Sequence, residues 1–143
     1  MNEPYWPFKL ETVPQPDIVL DGCRFDVAYR LRSGLDLPLK PTYLGNRYYW
    51  LPGCYCWFDS GGWGEIYDPY IVYVGKAANV RNRCIEHWCR NRSSWMRAWC
   101  SGEWFFPYVA IWLRDDRSEF EATLISLLKP KMNQHRERDS APY

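Results

Sequence analysis

Six basic side chains crowd residues 76–97: Lys76, Arg81, Arg83, Arg90, Arg92 and Arg97, against the single acid Glu86. This segment carries +5, while residues 1–75 carry −3 and residues 98–143 carry −1, which sum to the net +1 of the whole chain. Such a local excess is a candidate phosphate-binding face; the other reading is a solvated helix surface. Within the run, Arg83 and His87 are four apart, a spacing that puts them on one face of a helix. Arg83 is the group best suited to clamp a phosphate, because its planar fork matches the oxygens and stays charged. Lys76 would add a second positive charge. Further on, Glu121 is a hard oxygen ligand of the kind Mg²⁺ takes. Equally, Ser118-x-x-Glu121 reads as a capping box, in which the glutamate folds back on its own helix start. Asn133, after Lys129-Pro130, either holds a site together or turns the chain. Cations beside a carboxylate suit phosphodiester hydrolysis, which needs an activated water, a charge clamp and help for the leaving oxygen.

Elements to carry these groups are legible from residue 48 onward. Tyr48 to Phe58 is strand-like, a loop follows through Ser60-Gly61-Gly62 to Asp68-Pro69, and Tyr70 to Val74 is a β-branched and aromatic strand closed by Gly75. Residues 79–90 read as a helix with Val80, Cys84 and Trp88 on one face and Arg83 and His87 on another. Ser93-Ser94 starts a second helix bearing Trp95 and Trp99. The arginines interleave with Trp88, Trp95 and Trp99, so the rings serve either as core or as a stacking surface, and at least two are expected in the core. Trp104 to Leu113 is a strand expected at an edge or bulged around Pro107, and Ser118 caps a helix that Pro130 stops near Lys129. The order β-β-α-α-β-α describes a mixed α/β fold, a small antiparallel-type sheet flanked by helices.

The first 52 residues differ. They hold seven of the eleven prolines, and Ile18–Leu20, Asp21-Gly22 and the alternating Cys23–Arg32 read as a hairpin. The expected organisation is therefore a β-rich extension over 1–52, a main unit over 53–135 and a tail over 136–143. A chain of 143 residues with 47% hydrophobic content is long enough for a core of its own. The longest apolar run, Trp104–Leu113, is too short to span a membrane, which takes about 20 residues. No signal-peptide pattern opens the chain, so a cytoplasmic location with the six cysteines reduced is expected. No CxxC or Cys/His spacing suggests structural zinc.

Gly53-Cys54-Tyr55 and Tyr73-Val74-Gly75 end two neighbouring strands, followed by Arg83, His87, Glu121 and Asn133 in that order. This arrangement resembles the GIY-YIG nuclease superfamily, over about residues 53–133. The Tyr-Val-Gly-Lys-Ala-x-Asn-Val stretch looks like the version in the N-terminal domain of the excision-repair nuclease subunit. The Arg83/His87 pair and Glu121 with Asn133 look more like the restriction-enzyme branch. Cys54 stands where the family usually has isoleucine, and the segment Cys56–Val72 is longer than its usual short hairpin.

The resemblance implies a metal-dependent DNA endonuclease leaving 5′-phosphate and 3′-hydroxyl ends. Glu121 would ligate Mg²⁺ or Mn²⁺. Tyr55 would act as general base or orient the attacking water, with its reference pKa of about 10 lowered by metal or cations. Tyr73 would hydrogen-bond the phosphate or the water, Arg83 would clamp the transition state, and His87 would contact phosphate or assist Tyr55. Arg81, Arg90, Arg92 and Arg97 would track the nucleic-acid backbone. Seen alone, the two tyrosines read equally well as ordinary strand aromatics. DNA is the expected partner, with RNA open as a substrate, no membrane, and a homodimer as one route to double-strand cutting. The alternative is a nucleic-acid-binding module that keeps the fold without hydrolysis.

Overall fold

A computed structural model describes residues 5–21, 52–62, 67–85, 87, 94–100 and 106–133. Among these residues four strands, β1 (Ile18–Asp21), β2 (Gly53–Asp59), β3 (Tyr70–Ala77) and β4 (Pro107–Leu113), form one sheet in the order β1-β4-β2-β3. All three pairings are antiparallel. The helices are α1 (Val80–Ile85), α2 (Ser94–Cys100) and α3 (Arg117–Leu128). The fold is thus mixed α/β with an antiparallel sheet, in the element order expected from residue 53 onward.

Strand alternation sorts the core into two layers. Tyr55, Trp57, Tyr73, Val109 and Ile111 point to one face, where they pack with Val80 and Cys84 of α1 and with Trp95, Met96 and Trp99 of α2. Cys54, Cys56, Phe58, Val74, Ala110 and Trp112 point to the other and meet Phe120 and Leu124 of α3. The segment before β1 completes this second layer. Trp6 sets edge-on contacts with Phe8, Phe58 and Trp112, and the Trp112 indole donates to the Pro14 carbonyl at 2.9 Å. Trp95 and Trp99 are core, so neither offers a stacking surface; Trp88 lies outside the described residues.

Several expectations are corrected by tertiary pairing. β4 is internal rather than an edge: Pro107 is its first residue, where a missing N–H removes no bond between paired neighbours, and β1 stops at Tyr108. Gly75 does not end β3, which continues to Ala77 against Gly53. β1 pairs with β4; the second arm of the expected 18–32 hairpin lies outside the described residues. Between the paired residues of β2 and β3 the register shifts once, at a bulge that leaves Val72 unpaired between Tyr73 opposite Trp57 and Ile71 opposite Phe58. Finally, the α3 N-cap is Asp116, without a side-chain cap bond, and Ser118 lies inside the first turn. The Ser118 hydroxyl instead accepts from Lys76 Nζ at 2.8 Å, so no capping box forms.

Candidate active site

The register of β2 and β3 builds the site. Tyr55 lies opposite Gly75 and Trp57 opposite Tyr73, which places the two tyrosines diagonally on the same face. The Tyr55 ring folds directly across Gly75, in the space any Cβ there would occupy. A larger residue at 75 would displace the phenol, which is a physical reason for glycine at this position. The rings of Tyr55 and Tyr73 are 6.3 Å apart.

Arg83 comes from α1 and His87 from two residues beyond its end. Tyr55 Oη and His87 Nε2 are 2.7 Å apart, a buried hydrogen bond. Burial, and then the nearby Arg83 charge, hold His87 well below its ordinary value, so the imidazole is neutral at pH 7. Burial and neighbouring Tyr73 push the Tyr55 phenol well above 10, while the charge and hydrogen bond of Arg83 oppose them without winning. The resting pair is therefore phenol and neutral imidazole, and Tyr55 donates to Nε2 in the tautomer that carries the imidazole proton on Nδ1. In the absence of bound metal, desolvation outweighs Arg83 at Tyr55. Tyr55, Tyr73 and His87 are each only 1% exposed.

Glu121 is placed differently. It is buried on α3, 7% exposed, on the helix that packs against Cys54 and Val74 rather than against Tyr55. Its charge reaches the Cys54 thiol, which burial first, and Glu121 and Asp116 next, push up to about 12. Lys76 leaves β3 on this same side toward Ser118. The candidate residues thus form two groups flanking the glycine-bearing ends of β2 and β3: Tyr55, Tyr73, Arg83 and His87 on one face, Lys76 and Glu121 on the other. Asn133 spans the outer edge of β3, accepting from Val74 N at 2.8 Å and donating to Val74 O at 2.9 Å. Lys131 N and Met132 N donate to Ile71 O and Val72 O alongside it. Asn133 therefore fixes the strand between Tyr73 and Gly75.

Of the expected nucleic-acid contacts, Arg97 is exposed on α2 and Arg81 belongs to α1; Arg90 and Arg92 lie outside the described residues. Among the described residues no cluster of three or more His, Cys, Asp or Glu side chains is poised for a metal. Mg²⁺ keeps most of its waters and takes one or two carboxylates plus substrate phosphate, so the buried Glu121 carboxylate is the group that would hold it. Among the described residues no helix is long and apolar enough to cross a membrane.

One buried group was missed from sequence. Asp59, fully buried at the end of β2, accepts from Gly61 N, Tyr67 Oη, Trp99 Nε1 and Phe106 N at 2.7–3.2 Å. Only the Asp59-x-Gly61 spacing was readable as a local signal.

Comparison with known proteins adds a partial likeness. The chain is 34% identical over 82 residues to UvrABC system protein C of Mycoplasma pneumoniae, covering 57% of this chain and 13% of that protein. It is 30% identical over 93 residues to the protein of the same name from Malacoplasma penetrans, covering 64% and 15% respectively. The chain therefore spans only a small part of the relatives it matches. No family model matches the chain. No solved structure matches it either.

Proposed function

We propose that the chain is a GIY-YIG-type, metal-dependent DNA endonuclease that hydrolyses phosphodiesters to 5′-phosphate and 3′-hydroxyl ends. The observation that carries this reading is the 2.7 Å bond between Tyr55 Oη and His87 Nε2, beside Arg83 and on the same face as Tyr73. The partial likeness to UvrABC system protein C supports it.

The residues divide the reaction as follows. The attacking water gives a proton to Tyr55 Oη while the phenol passes its own proton to His87 Nε2, so no free phenolate is needed. The water oxygen bonds to phosphorus as the bond to the 3′-oxygen breaks, and that oxygen leaves with a proton drawn from solvent. Arg83 holds the equatorial oxygens, where negative charge grows. Tyr73 orients the phosphate. Glu121 would hold Mg²⁺ or Mn²⁺, which when bound supplies charge neutralisation at the phosphate. Lys76, leaving Ser118 for the nucleic acid, would add a cation on the same side.

The second reading is a nucleic-acid-binding module without hydrolysis. One observation favours it: the phenols and His87 are shielded, so cleavage requires them to be uncovered when DNA binds. Plasmid cleavage with and without Mg²⁺, comparing wild type with Glu121→Ala and measuring DNA binding of both, separates the readings. Metal-dependent nicking by wild type alone, with the variant still binding, is the expected result. Salt-dependent binding without cutting by either protein would transfer the reading to the binding module.

A further inference from the structure

We infer that Trp95 is a positioning residue for this site: its indole, stacked flat on Tyr73, sets the angle at which the Tyr73 hydroxyl meets the phosphate. The inference rests on the nuclease reading above and assigns a residue that the motif resemblance does not include.

The geometry is specific. The Trp95 and Tyr73 rings lie 4.2 Å apart and 5° from parallel. Neighbouring contacts are looser: Trp57–Trp95 is tilted at 6.5 Å and Tyr55–Tyr73 at 6.3 Å. A ring held face to face cannot change its tilt without losing contact along the whole face, whereas an edge-on neighbour allows it to rock. Trp95 also lies 5.0 Å from the His87 ring, so one side chain borders both the phosphate-orienting tyrosine and the proton-accepting imidazole.

Trp95 is itself held from a distance. It sits on α2, and Trp99, one turn on, donates its indole N–H to Asp59 Oδ2 at 3.1 Å. Asp59 thereby anchors the helix that presses Trp95 onto Tyr73. Hydrogen bonding does not explain the choice of tryptophan: the Trp95 Nε1–H is buried and has no acceptor among the described residues. The flat ring surface is what the site uses.

The test is a double-mutant cycle in cleavage kinetics, with thermal unfolding followed on every variant. Trp95→Phe keeps a flat ring and is expected to leave kcat within about three-fold of wild type. Trp95→Leu removes it and is expected to lower kcat by about 10²-fold at unchanged KM, the scale of a displaced reacting geometry. In a Tyr73→Phe background, which lacks the hydroxyl, Trp95→Leu should cause no further loss. Should Trp95→Leu not fold, Trp95→Met, flexible and of closer volume, is read in the same way. Losses that add across the cycle, or Trp95→Phe failing as badly as Trp95→Leu, overturn the positioning role while leaving the nuclease reading intact. A wild type that binds DNA but never cuts it overturns the nuclease reading, and the inference falls with it.

Discussion

The two ends of β2 hold two buried polar clusters built on opposite plans. At Asp59 one carboxylate collects four donors from the following loop, α2 and the approach to β4. At Tyr55, four residues earlier, a phenol and an imidazole share a short hydrogen bond inside a cage of Tyr73 and Trp95. The first arrangement ties two acceptor oxygens in place with donors from three parts of the chain. The second keeps two titratable groups neutral and joined by a proton that can move. The comparison teaches that burial alone does not mark a functional group. What marks it is whether it can relay a proton through its partner when a third group, here the attacking water, replaces the proton it gives up.

The largest expected effect breaks the Asp59 cluster. Asp59→Ala leaves two buried and two half-buried donors without their acceptor, at about 1 kcal/mol for each buried one and less for the others, so destabilisation of about 3 kcal/mol is expected in chemical denaturation. Asp59→Asn keeps the shape and one carbonyl oxygen and should cost about half as much. An Asp59→Ala protein as stable as wild type would remove the architectural role assigned to this end of the strand.

Next comes the opposite signature at Tyr55. Tyr55→Phe retains the ring over Gly75 and removes only the hydroxyl bonded to His87. Stability should fall by about 1 kcal/mol, while single-turnover DNA cleavage should fall by about 10²-fold or more. Equal effects on stability and cleavage would mean that the two clusters do the same work, and the contrast between them would be lost.

How much of this was legible in the sequence depends on how far apart the partners lie. Tyr55, Tyr73 and the order of helices were readable because strand alternation and helical spacing are local, and the glycine tripeptides added register. The fate of Ser118 was not, because a local capping pattern lost to Lys76, forty-two positions away and brought close by β3. Pro107 suggested an edge strand, yet its place at the first position of β4 makes it compatible with an internal one. Asp59 gave little sign of its role, since three of its four donors lie at positions 67, 99 and 106 and meet only after the sheet forms. For His87 the residue type was visible but its burial was not. Burial decides whether it meets phosphate as a cation or Tyr55 as a neutral acceptor.

That burial leaves a signature in the pH dependence of stability, the smallest of the expected effects. His87 is held well below its ordinary value of 6.5 in the fold, so the unfolded chain takes up a proton there before the native protein does. Stability should therefore fall as the pH drops below about 6.5, by up to about 1.4 kcal/mol per pH unit, until the native imidazole itself titrates. Tyr55 acts at the other limit: its phenol is held well above 10, so stability is fully present below about pH 10 and declines as the unfolded tyrosine ionises. Denaturation curves between about pH 5 and 6.5, where carboxylates are almost fully ionised, isolate the histidine. The wild type should lose stability across that window, and His87→Gln should lose much less of it, because glutamine offers no proton site. Parallel slopes in the two proteins would mean that His87 titrates normally in the fold. Tyr55 would then face an imidazole that is part cationic near pH 6.5, and only its neutral fraction could accept the proton.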